Sequence, residues 1–250
     1  MCVSAIVETE LERIAARLNL TRLDDVTTWH ERPASAFEAP PKRIEAHDPA
    51  VIIRQGNGGR LVAERMAFNS YVLHRASLGG DMWAERMLSH QHGLLVLKSF
   101  SEWVNLGMLL GQGLVPLHEA NCAFNRFAAP SQRFGSGREN RQVLANFNPA
   151  SGGSLLVPVL FDLRQRQEVG ALTHEFAIIS DDPHPAMRPF GTEISPVCLS
   201  YEGAMEWMHV QGAGTEPSED GEDPGAEPAW NEILADGRPE VCSFNLFKSA

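Results

Sequence analysis

The spacing of apolar residues changes period along the chain. Val7, Leu11, Ile14, Ala15 and Leu18 recur at helical intervals with charged residues between them, which predicts an amphipathic helix over 7–20. Asp24 to His30 reads as a second short helix closed by Arg32-Pro33, and 33–49 as a connection rich in Pro and Ala. From Ala50 the period shortens. Ala50–Arg54 and Arg60–Phe68 read as strands turned by Gly56-Asn57-Gly58-Gly59, with 68–73 continuing the second or beginning another. His92–Phe100 contains the unbroken apolar run Gly93–Leu97, expected of a strand buried on both faces. Leu155–Leu163, Glu175–Ser180, Ser195–Leu199 and Val241–Phe247 complete the predicted strands, and Tyr201–His209 suits a helix. Pro158 places its strand at an edge or a bulge. Residues 212–228 hold six acids, no base and many Gly and Pro, so they cannot build a core and are expected to be disordered or a surface loop. Short strands with few helices predict an α+β fold. The expectation is a single domain over 1–250 around a curved or barrel-like, mostly antiparallel sheet.

Charge narrows the function classes. The net charge is -11, yet residues 1–166 carry +2 and residues 167–250 carry -13. So acidic a chain is a poor general nucleic-acid binder. A DNA role must lean on one basic segment, with Arg126, Arg133, Arg138 and Arg141 against Glu139 alone. No apolar run reaches the roughly 20 residues of a membrane span, and there is no signal-like segment, so no membrane partner is expected. The four cysteines are scattered without a CxxC pair, which argues against a zinc site or disulfide framework and suits a cytoplasmic protein. With no HExxH, GxGxxG, P-loop or GxSxG motif, neither metal nor cofactor is expected.

Two positions offer chemistry. Cys2 follows the initiator Met, and removal of Met1 before so small a residue would leave an α-amine and a thiol on one residue. Their ordinary pKa values, about 8 and about 8.5, leave both partly nucleophilic at neutral pH. Such a residue attacks aldehydes twice: the amine forms an imine, and the thiol closes it to a thiazolidine. Glu102 ends the buried strand between Phe100 and Trp103. Neighbouring aromatic rings desolvate a carboxyl, which suits general acid/base work. His92, His118, His174 and His184 are the central histidines and its candidate partners.

An initial Met-Cys-Val-Ser-Ala, a strand ending Phe100-Ser101-Glu102-Trp103, and Phe176–Ser180 followed by Pro196-Val197-Cys198-Leu199 form an ordered set. That set resembles the SRAP family, the SOS response-associated peptidase-like proteins that sense abasic sites in single-stranded DNA. The resemblance covers about 1–210. It implies that Cys2 is the nucleophile and Glu102 the active-site glutamate. It also exposes departures: the family histidine falls at Thr192, its asparagine at Trp83, its arginines at Glu85 and Ile194, and a strand cysteine at Gly93. His184 or His174 is the candidate replacement acid/base.

The expected function is therefore a diverged sensor of abasic single-stranded DNA that forms a thiazolidine crosslink through Cys2. Two alternatives stand beside it. One is a catalytically eroded member of the same fold that binds a protein partner or DNA. The other is a Cys2-dependent, self-processing hydrolase.

Overall fold

The structure, a computed structural model, describes residues 4–26, 43–44, 48–81, 84, 91–114, 142–149, 153–162, 174–183, 187–209, 229–236 and 241–246. Its strands are β1 (Ser4–Val7), β2 (Asp24–Val26), β3 (Arg43–Ile44), β4 (Pro49–Gln55), β5 (Leu61–His74) and β6 (His92–Asn105), then β7 (Gln142–Pro149), β8 (Leu155–Asp162), β9 (Glu175–Asp181), β10 (Ser195–Pro196) and β11 (Val241–Leu246). The helices are α1 (Leu11–Arg17), α2 (Leu106–Gly111), α3 (Tyr201–His209) and α4 (Ala229–Asp236).

Five strands close on themselves. β9 pairs β5, β5 pairs β4, β4 pairs β6, β6 pairs β8, and β8 returns to β9. The β5–β9 contact is parallel and the others are antiparallel. The expected barrel-like α+β fold is thus present. β6 runs on past the barrel and pairs β1 and β7, and β7 pairs β11.

Closure explains the continuous apolar strands. Successive side chains point to opposite faces, and here both faces are covered. Ile52, Met66, Leu95, Val157 and Ile178 belong to one buried cluster, with members from every barrel strand, and fill the lumen. Ile53, Ala63, Leu94, Leu156 and Ala177 belong to a second, which also holds Ile14 and Leu18 of α1 and Trp207 of α3. α1, α3 and α4 therefore coat the outside, whereas Leu106 and Leu109 of α2 join the first cluster. Trp207 is fully buried, donates from Nε1 to the Gly93 carbonyl at 2.9 Å, and stacks on His92 with ring centroids 4.2 Å apart.

Gly93 faces the lumen where no side chain fits. A Cβ there would lie 2.7 Å from Ile52 Cγ2 and 3.1 Å from Val159 Cγ2. This is the position where the SRAP pattern has a cysteine. Gly93→Ala is expected to cost about 1–3 kcal/mol by overpacking. The urea midpoint reads it, and an unchanged midpoint would show that the barrel yields.

Some expectations are corrected. The first helix starts later, at Leu11, because Ser4–Val7 is spent as β1 against β6. Asp24–Val26 is a strand, not a helix, and pairs β5 in parallel. Pro158 pairs Leu94 of β6, while β9 pairs the same strand only from Val159 onward, so the local edge expected of it is present on the β9 side. Its missing N–H is tolerated because the β9 ladder stops one residue short of it. α2 and α4 were not foreseen. The basic segment 126–141 and the acidic stretch 212–228 lie outside the described residues.

Candidate active site

One end of the barrel is where β8 begins, β5 and β9 finish, and β6 leaves. There Leu97 pairs Leu155, and Glu102 lies five residues further along β6. β6 changes facing near Lys98, where its ladder to β1 passes from Ser99↔Ile6 to Leu97↔Val7 and skips one residue. Phe100 and Val104 thereby join Leu95 and Leu97 in the lumen cluster. Glu102 alternates with Phe100 and Val104 and faces the same way. It pairs Ala145 of β7 and is 2% exposed. A carboxyl is thus set among Phe100, Val104, Ala145 and Phe147, all buried.

Two segments flank this end. β1 pairs β6 with Ser4 opposite Ser101 and Ala5 opposite Phe100. Cys2 itself lies outside the described residues, two peptide links before Ser4. The second segment is the turn after β9. Phe190 there packs edge-on against Phe147 at 5.5 Å, and Phe147 stacks on Phe100 at 5.3 Å. Gly191 has φ 70°, which favours glycine. A Cβ on it would lie 2.8 Å from Met108 Sδ and 3.4 Å from Asn105 Cβ, so the turn abuts the end of β6 and the start of α2. Thr192 is buried, and its hydroxyl donates to the Met187 carbonyl at 3.3 Å. It holds the turn together, and an aliphatic hydroxyl ionises too far above neutral pH to act as a general acid/base.

His174 goes elsewhere. It precedes Glu175, which pairs Asp162 at the far end of β8. The seven residue steps from Leu155 to Asp162 span on the order of 20 Å, and Glu102 lies beyond Leu155. The structure does not bring His174 to Glu102. Its Nδ1 instead meets Glu64 Oε1 at 2.5 Å, and Arg54 Nε bonds the other oxygen. Burial opposes ionisation of Glu64, but the hydrogen bonds and charges of His174 and Arg54 prevail and hold it below its ordinary 4.5. Arg54 and Glu64 lie across the predicted hairpin, but no pattern in the sequence ties them to His174, 110 residues further on. Trp83, His184, Arg126, Arg133, Arg138 and Arg141 lie outside the described residues.

The fold is similar to that of a phage-related protein from Bordetella bronchiseptica. The two share 16% identity over 98% of this chain and 93% of that one, with a TM-score of 0.58. A second protein from the same organism matches with TM-score 0.56 and 11% identity over 84% of this chain and 89% of the other. A protein from Bacteroides thetaiotaomicron matches with TM-score 0.57 and 10% identity over 95% and 87%. At such identities the likeness is one of fold. No family model and no curated protein matches the sequence.

Among the described residues, His74, Asp181 and Asp182 place one potential metal-ligand atom each within 4.8 Å. Their other contacts disfavour an ion. His74 Nδ1 accepts the Ala76 N–H at 3.3 Å, so in the neutral ring Nε2 carries the proton and faces Asp182 Oδ1 at 3.5 Å. Arg75 holds Asp181 Oδ2 at 2.6 Å. No helix among the described residues is long and apolar enough to cross a membrane.

Proposed function

We propose that this protein captures abasic sites in single-stranded DNA, as the SRAP resemblance implies, through a Cys2 freed by removal of Met1. The observation that carries the reading is the β1–β6 register: Ser4 faces Ser101, the residue before the buried Glu102. Two peptide links limit the Cα of Cys2 to about 7.6 Å from that of Ser4. A closed barrel is compatible with the resemblance.

In this reading the α-amine adds to the ring-opened sugar aldehyde and water is lost, giving an imine. The thiol then adds across the C=N bond, sulfur to carbon and proton to nitrogen, and the thiazolidine closes. Glu102 shuttles protons to the carbinolamine oxygen that leaves as water. The apolar faces of Phe100 and Val104 limit competing solvent.

Denaturing gels test it. Protein shown by intact mass to lack Met1 is expected to shift an oligonucleotide with one abasic site, and Cys2→Ala to leave it unshifted. No Cys2-dependent band from the processed protein overturns the proposal.

One observation favours a second reading, a non-covalent binding module. Thr192 stands where the resemblance places a histidine, and its hydroxyl is committed to the Met187 carbonyl. That reading expects retention of the abasic oligonucleotide, or of a protein partner, with no covalent band.

A further inference from the structure

We infer that Arg188 is a phosphate contact for single-stranded nucleic acid on the cap of the barrel. The inference rests on the reading that this end of the barrel receives such a strand. Arg188 opens the 3-10 turn Arg188–Phe190, which links β9 to β10. The turn is a fixed mount. Phe190 N–H donates to the Met187 carbonyl at 2.9 Å and Gly191 N–H to the Arg188 carbonyl at 3.0 Å. Met187 is fully buried in the lumen cluster, and Phe190 is lodged on Phe147. Pro189 restricts the backbone between them. With two side chains anchored inward, the exposed Arg188 stands outward from the end that holds Glu102.

Its charge is uncommitted where its neighbours' are not. At the same end Lys98 pairs Glu8 at 3.3 Å, and Arg75 pairs Asp181 at 2.6 Å and also donates to Asn231 at 2.8 Å. Among the described residues no carboxylate is paired with Arg188, although Glu193 is exposed five residues on. A guanidinium is weakly hydrated and its fork of donors matches two phosphate oxygens. In a protein of net charge -11, an unpaired cation on the cap lowers the repulsion that a polyanion meets there.

The test uses a single-stranded oligonucleotide without an abasic site, so Cys2 chemistry plays no part. Binding is followed by fluorescence anisotropy between about 50 and about 200 mM salt. One phosphate contact contributes about 0.7 to the slope of log K against log salt. Arg188→Ala is expected to lose about that much slope and several-fold affinity, and Arg188→Lys to keep the slope. Glu193→Gln is expected to tighten binding. Arg60→Ala, which removes the same charge from the exposed end of the β4–β5 turn, is expected to keep the slope. An unchanged slope in Arg188→Ala, an equal loss in Arg60→Ala, or no binding by the wild-type protein overturns the inference. Loss of slope together with absent crosslinking sustains the contact and removes only the covalent reading.

Discussion

Glu102→Gln is expected to slow adduct formation at Cys2 by about 10²–10⁴-fold, the range that a general acid/base supplies. Gln keeps the shape and a hydrogen-bonding oxygen but neither takes up nor releases a proton near neutral pH. The size of the effect follows from placement. At 2% exposure, beside Phe100 and Val104 and opposite Ala145, this carboxyl sits where bulk water is a poor substitute for it. The nucleophile remains on Cys2, so product should still accumulate slowly and with the same mass. Single-turnover rates on abasic oligonucleotide read the loss, and a thermal midpoint on the same sample separates it from unfolding. Equal rates for the two proteins would show that Glu102 is a structural buried acid.

The second large effect concerns stability at the other end of the barrel. Glu64 is fully buried, and Arg54 and His174 both bond it from inside the lumen. Glu64→Ala removes the carboxylate and leaves two cationic or polar groups inside a closed apolar barrel. Breaking such a buried pair costs about 3–5 kcal/mol. The pH dependence has a definite sign. Glu64 titrates below 4.5 when folded, so its contribution is complete above about 4.5 and lost as pH falls through the folded value. Glu64→Gln should therefore lie well below wild type at neutral pH and converge on it in acid. Parallel stability profiles for the two proteins would contradict this account. Replacing all of Arg54, Glu64 and His174 by apolar residues is expected to recover much of the loss, because the desolvation cost disappears with the charges.

The two predictions separate function from scaffold within one barrel. A carboxylate at one end has its partners supplied by Arg54 and His174, and it contributes stability. A carboxylate at the other end lies on the strand that meets the start of the chain. His174, the sequence's candidate replacement for the family histidine, is bonded to Glu64 and so is not free for that task.

Much of the strand content was legible before any coordinates. Gly93–Leu97 is apolar without alternation because both faces of that strand are covered, and the structure buries them against lumen and helices. The β4–β5 turn, β9, α3 and β11 also lie where their patterns predict. These features are local: period, turn residues and run length act within a few residues of one another. Legibility failed where a distant partner outweighed local preference. Val7 has helical spacing with Leu11, yet the edge of β6 claims it as strand. Nothing near Glu64 in sequence announces His174 as its partner 110 residues away.

By itself the sequence determined the fold class, the strand that carries Glu102, and a leading cysteine with the chemistry to attack an aldehyde. Only the tertiary structure decided the rest. Barrel closure sets which face of β6 is inside, the skipped residue near Lys98 turns Glu102 toward that interior, and the register with β1 sets Ser4 opposite Ser101. The physical reason is that alternation along a strand defines two faces but does not say which is enclosed. That choice belongs to the neighbours a strand pairs with, and those are set by closure of the whole sheet.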